Sequence, residues 1–275
     1  MMAFIIPKFL SLTAVILLPA ASALCATSLL EEGYRQMYNL RFDDAHKAFG
    51  EHARNSPSDP LGPVSDAAAY LFSEFDRLNV LSSEFWTNDD NFLDFHKLDA
   101  DLKTKALFEA ALEKGKQLAE AELRAQPDAP DALFASVLRL GLHSDYLALI
   151  EKRNLAALSE VKQSRALASQ LLSRHPEYYD AYIAQGIENY LLSLKPAPVR
   201  WVLHVTGSET DRHVGIEKLR VTAEKGHYLL PYARLLLALA NLRAHEPEQA
   251  REKLEWLVRE FPENRLYRKE LAKLN

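Results

Sequence analysis

Residues 232–262 read YARLLLALANLRAHEPEQAREKLEWLVREFP, and within them Ala238, Ala250, Leu254 and Pro262 are spaced by 12, 4 and 8 residues. Residues 29–57, LLEEGYRQMYNLRFDDAHKAFGEHARNSP, carry Gly33, Ala45, Phe49 and Pro57 at the same 12, 4 and 8. Both stretches place apolar residues at helical spacing on either side of a short polar turn. Two antiparallel helices approach closely only where small residues stand at their crossing. A large apolar residue then fills the gap below, and proline stops the second helix. One such match would carry little, because alanine is common. Two in one frame identify a repeated helical hairpin near each end of the chain.

Working outward, the first hairpin is expected as helices over 29–39 and 43–55, with Arg41-Phe42-Asp43 turning the corner and Asp43 as N-cap. The last is expected over 232–244 and 247–260, turned by His245-Glu246-Pro247, with a further helix over 264–274 covering the exposed end of the stack. Three degenerate hairpins fit between them: 64–81 with 102–125, closed by Pro127; 131–149 with 155–174, closed by Pro176; and 180–194, with Gly186 at the small-residue position, paired with 213–225. The expected fold is therefore all-α: a right-handed superhelical solenoid of about five antiparallel hairpins plus a C-terminal capping helix, forming one elongated domain over 27–275. Composition agrees. Only 9 glycines and 13 prolines occur in 275 residues, and alanine, leucine, glutamate, lysine and arginine, which lose least on entering a helix, dominate.

Two central segments carry a family likeness: Asp180-Ala181-Tyr182-Ile183-Ala184-Gln185-Gly186-Ile187-Glu188-Asn189-Tyr190, and Thr210-Asp211-Arg212 followed by Gly215-Ile216-Glu217-Lys218-Leu219. They resemble bacterial exported tetratricopeptide-repeat (TPR) proteins, which are distantly similar to the eukaryotic tetratricopeptide-repeat family 39. The likeness spans residues 100–270, and its motifs are mostly packing residues. It implies a TPR-like fold and transfers no activity.

The formal charge is −5, with both signs mixed along most of the chain, so the basic stripe required for nucleic-acid binding is missing. Arg265, Arg268, Lys269 and Lys273 form the nearest approach to one, interrupted by Glu270, and read as a solvated helix end. Residues 1–26 differ in kind. Lys8 is their only charge, and an apolar run over 9–18 is followed by Pro19 and by small residues at Ala21, Ser22 and Ala23. This pattern predicts a cleaved signal peptide, export to the periplasm or beyond, and no membrane span in the mature chain. Cys25 offers a lipoprotein alternative, but Leu24 stands where a small residue belongs. As the only cysteine, Cys25 can form no intramolecular disulfide.

Two insertions break the repeat spacing, and insertions in repeat arrays often serve binding. The first, near 82–97, holds Trp86, Phe92 and an Asn88-Asp89-Asp90 cluster without the central glycine of a calcium loop. The second, near 195–212, holds Pro196, Pro198, Trp201, His204, Ser208, Asp211 and Arg212. Trp201 and His204, with Tyr190 just upstream, make the most site-like constellation. Asp211-Arg212 also reads as a plain helix-start pair. His204, Asp211 and His213 lack zinc-site spacing, Ser208 lacks a hydrolase elbow, and no glycine-rich phosphate loop occurs. No metal, cofactor or catalytic residue is expected.

The resemblance also implies an inner face formed by the first helix of each hairpin. Its lining would include Leu30, Tyr34 and Met37; Phe134 and Leu138; Ile183, Ile187 and Tyr190; and Tyr232, Leu235 and Leu239, all apolar or aromatic. An open groove of that kind invites aggregation unless filled by the chain itself or by an apolar guest. The expected function is a non-catalytic interaction scaffold of the cell envelope or periplasm that binds an unidentified protein partner. Tyr190, Trp201, His204, Asp211, Arg212, Trp86 and Phe92 are its candidate contacts. The alternative is a carrier or chaperone that takes an apolar peptide or lipid in the groove.

Overall fold

The computed structural model describes residues 28–87, 97–193 and 211–274, without the side chains of 86, 87 and 191–193. The expected signal segment, Phe92, Trp201 and His204 lie outside the described residues, as does the side chain of Trp86. Among the described residues the chain is all-helical, with twelve α-helices and no strand: α1 (Leu29–Tyr38), α2 (Phe42–Asn55), α3 (Leu61–Arg77), α4 (Ser83–Thr87), α5 (Leu102–Ala125), α6 (Pro130–Asp145), α7 (Asn154–Arg174), α8 (Tyr182–Ser193), α9 (Arg212–Lys225), α10 (Leu230–Arg243), α11 (Pro247–Glu260) and α12 (Arg265–Ala272). Successive long helices pack against one another along the whole chain.

The helix starts follow from local chemistry. Ser28 and Glu31 form a reciprocal capping box at α1, Asp101 accepts from Thr104 at α5, Asp211 accepts from His213 and Val214 at α9, and Asn264 accepts from Leu266 and Tyr267 at α12. Proline in the first turn opens α6, α10 and α11. Asp43 does not take the N-cap position expected of it. Arg41 does, without a side-chain cap, and Asp43 and Asp44 fall in the first turn of α2, where carboxylates face the positive helix end.

The repeat is written in the backbone as well. Leu40, Asn79, Lys152 and His245 end the first helices of four hairpins in the left-handed region, with φ of 63°, 54°, 58° and 60°. In three of them the next residue donates to the carbonyl five residues back: Arg41 to Gln36 at 2.9 Å, Val80 to Phe75 at 3.0 Å, and Glu246 to Asn241 at 2.9 Å. This closes the helix end in the manner of a Schellman turn. In the third hairpin Arg153 reaches back six residues to Leu147, because a π-helical turn at Tyr146–Ile150 adds one residue after α6. The second helices also share an ending. Ser56, Gln126, His175 and Phe261 all leave the helix in extended φ, between −127° and −140°, directly before Pro57, Pro127, Pro176 and Pro262. A residue that precedes proline is sterically driven out of the α region.

At the crossings, Gly33, Ala45, Phe49, Ala238, Ala250 and Leu254 are all buried. A β-carbon on Gly33 would come within 2.3 Å of the Phe49 ring, so any larger residue at this first crossing must displace that buried ring.

Among the described residues the elongated, open-ended stack expected from the repeats is not what forms, because the first and last hairpins meet. Tyr38 donates through its hydroxyl to the Tyr228 carbonyl at 3.0 Å, Asn264 donates to the Tyr38 carbonyl at 2.7 Å, and Arg265 pairs with Asp76. Phe72 packs its ring edge-on to Tyr232 at 5.2 Å, and α10 lies against α4. Helix α12 therefore seals a seam between the first and last hairpins instead of covering a free end. The physical reason is the aromatic inner face. Tyr34, Tyr38, Phe72, Tyr228, Tyr232 and Phe261 bury one another across that seam, which an open groove would leave in water. Residues 130–150 are apolar enough to cross a membrane by composition, but 67% of their most apolar window is buried inside the protein, as a core helix requires.

Candidate functional site

The inner face does not fill completely. Helices α6, α8 and α10 leave a crevice of about 50 Å³, continuous in its lining with a smaller space of about 20 Å³. Helix α6 supplies Phe134, Val137, Leu138, Gly141, Leu142 and Asp145, which recur every three or four residues and so occupy one face. Helix α8 supplies Ile183, Ile187 and Tyr190, and α10 supplies Tyr232, Leu236 and Leu239. Gly141 has no atom within 4 Å of where its β-carbon would stand, so the crevice owes part of its room to that glycine.

Asp145, Ile187 and Tyr232 border both spaces and form the waist between them. The Tyr232 hydroxyl donates to Asp145 Oδ2 at 3.2 Å. Asp145 keeps a partly accessible edge at the crevice but is otherwise enclosed by protein. Burial pushes its carboxyl up to about 7, against the opposing effect of the Tyr232 hydrogen bond. Burial also drives the Tyr232 hydroxyl well above the usual tyrosine range, and the neighbouring Asp145 adds to this. In the wall of the larger space Ser144 donates to the Gly141 carbonyl at 2.8 Å and Ser164 to the Val137 carbonyl at 3.0 Å, while Tyr190 and Arg243 border the smaller one. The result is a largely apolar slot with a titratable pair, Asp145 and Tyr232, at its waist. Near neutral pH, Asp145 can offer a guest either a hydrogen-bond donor or an acceptor.

The residues singled out from sequence distribute unevenly. Tyr190 is buried in α8 and lines the smaller space. Gly215 of α9 fits so tightly under it that a β-carbon there would stand 2.6 Å from the Tyr190 nitrogen. Asp211 is the N-cap of α9, and its own N–H donates to Asn189 Oδ1 at 3.2 Å, which ties α9 to α8. Arg212 is exposed and opens onto a different cavity, bounded by α9, α10 and α11. Trp86 stands in α4. Among the described residues, no group of three or more histidine, cysteine or carboxylate side chains converges as metal ligands would. Asp145 and Gly141 were not picked out from sequence. The available signal was an acid in register with the apolar positions Leu138 and Leu142 of one helix face.

The quoted motif beginning at Asp180 has a structural role. Asp180 is buried, and its carboxylate accepts from the backbone N–H of His227, Tyr228 and Leu229 at 2.9–3.1 Å, holding the turn from α9 into α10. Gly226 permits this approach, since a β-carbon there would lie 2.5 Å from Asp180 Oδ1. Comparison of the chain with protein-family models and with curated proteins gives no match.

Proposed function

We propose that the chain is a TPR-like helical-repeat scaffold, exported to the cell envelope or periplasm and without catalytic activity of its own. In this reading it holds a protein partner by seating one of the partner's apolar side chains in the crevice between α6, α8 and α10. The repeat assignment is supported by the shared left-handed turns and pre-proline exits, and by the buried small residues at the crossings. In this reading the hairpins form a right-handed superhelix curved until its ends touch. Export is supported by the charge and apolar pattern of residues 1–26.

The observation that carries the functional reading is the size and lining of the crevice. About 50 Å³ is several times the ~10–15 Å³ that one water needs, and well below the ~150 Å³ of a cavity known to accept benzene. It suits one branched aliphatic side chain better than an acyl chain, which favours a protein guest over a lipid. The Asp145–Tyr232 pair at the waist would then meet a backbone or side-chain polar group of that guest. Trp201 and His204, which follow α8 in sequence, remain candidate contacts, with Trp86 and Phe92 behind them.

The test is affinity capture from the cell envelope with wild-type chain and with Gly141→Leu, whose side chain would occupy the crevice without meeting a neighbour at its β-carbon. Proteins and extracted lipids are analysed together. A specific protein held by the wild type and lost on Gly141→Leu is the expected result, and Trp201→Ala should weaken the same complex. A lipid lost on Gly141→Leu with no protein would establish the carrier reading instead. Capture that ignores Gly141→Leu would remove the crevice from the function.

A further inference from the structure

On the other side of α10 lies a larger, polar cavity of about 410 Å³, walled by α9 and α11, that shares no lining residue with the inner crevice. Arg212, His213 and Arg220 face it from α9, and Lys253 faces it from α11. Its floor is apolar: Ile216, Leu237, Ala240 and Ala244. Two of the nearby carboxylates are already engaged. Glu246 accepts from Asn241 Nδ2 at 2.8 Å, and Glu217 is paired with Arg220. Among the described residues no carboxylate pairs with Arg212 or His213, and Lys253 Nζ donates only to the Gln249 carbonyl, at 3.1 Å.

These cations are arranged at a cost. The Lys253 ammonium is half-buried, and burial pushes its pKa down; Glu252 and Glu246 oppose this, while Arg220 and Arg234 add to it. Those two carboxylates offset only part of the cost of desolvating the ammonium, and an anion in the cavity would relieve more of it. The N-terminal ends of α9 and α11 open onto the same space; the Asp211 carboxylate already caps α9, whereas α11 has no side-chain cap, only Glu248 in its first turn, and adds partial positive charge. Donors approach from two helices and at several heights along α9. A carboxylate needs only one arginine fork, whereas such an array matches the three oxygens of a phosphate group. The apolar floor leaves room beside it for a short carbon moiety.

We propose that this cavity binds the phosphate group of a small organic phosphate ester, through Arg212, His213 and Lys253. The same chemistry is presented by a soluble glycerol phosphate and by the headgroup of an anionic phospholipid, and the experiment separates these sources. Full-length protein is titrated calorimetrically with inorganic phosphate and with sn-glycerol 3-phosphate, and floated with phosphatidylglycerol vesicles against phosphatidylcholine vesicles. Saturable binding to one site is expected, weakened about tenfold or more by Arg212→Gln and by Lys253→Met and reduced by added salt. Lys47→Gln, which removes a charge on distant α2, should leave binding within about twofold. Arg212 is exposed, so its substitution leaves folding intact even if Lys253→Met does not. Variant-sensitive binding of the soluble ester identifies a free ligand. Variant-sensitive flotation on phosphatidylglycerol alone identifies a headgroup. The proposal is overturned if no probe binds saturably, if both variants bind as the wild type does, or if Lys47→Gln loses as much as they do.

Discussion

Asp145 illustrates how one residue couples the inner face to pH. Its carboxyl titrates near 7 in the folded chain and near 3.8 when exposed. Between those values the native state keeps a proton that the unfolded state has released, so stability falls as pH rises through the window and levels off above it. Asp145→Asn removes that dependence. Urea unfolding should give equal stabilities near the acid end, and a variant more stable by on the order of 1–3 kcal/mol above about pH 8. Parallel curves for the two proteins would show that the carboxyl is not held neutral. Two glycines make a second test at this scale. Gly141→Ala adds a methyl to open space in a helix interior and should raise stability by about 0.5–1 kcal/mol. Gly215→Ala drives a methyl against the Tyr190 backbone and should cost about 1–3 kcal/mol or more. Thermal melts decide both.

At the scale of elements, Asp180 holds the α9–α10 turn through three backbone N–H groups. Asp180→Ala would leave all three without that partner, the Leu229 N–H fully buried, and chemical denaturation should show a loss of about 2–3 kcal/mol. His245 ends α10 at φ 60° and is exposed, so glycine there relieves the left-handed strain, and His245→Gly should be neutral or stabilising by up to about 1 kcal/mol. The helices themselves were legible in sequence because their signals are local. Pro57, Pro127, Pro176 and Pro262 fix where second helices stop, and Asp211 fixes where α9 starts. Asp43 was misread for an equally local reason. The left-handed residue Leu40 tightens the turn and starts α2 one residue before it, which converts an expected cap into a first-turn acid. The extra residue of the π turn after Asp145 left no mark in the hydrophobic pattern, because both sides of that turn are apolar.

For the molecule as a whole, closure is the feature that the repeats did not announce. It depends on curvature summed over five hairpins, and no single spacing encodes that sum. Its consequence was partly visible, since eleven apolar positions assigned to the inner face needed to be covered. At Tyr34 and Tyr232 the cover is the opposite end of the same array, and a narrow slot remains between α6, α8 and α10. Asn264 stands at the centre of the seam, buried, capping α12 and donating to the Tyr38 carbonyl. Asn264→Ala should therefore destabilise the whole fold by about 2–3 kcal/mol in denaturant titration, more than an ordinary cap. Closure itself is tested most directly by a short bifunctional crosslinker. The Arg41 guanidinium and the Glu263 carboxylate approach to 3.6 Å across the seam. In a Cys25→Ser background, with cysteines at positions 41 and 263, an intramolecular thiol crosslink should form efficiently in dilute protein and map to those two positions by mass spectrometry. Crosslinks found only between chains, or none at all, would mean that the array is open and its inner face a free groove.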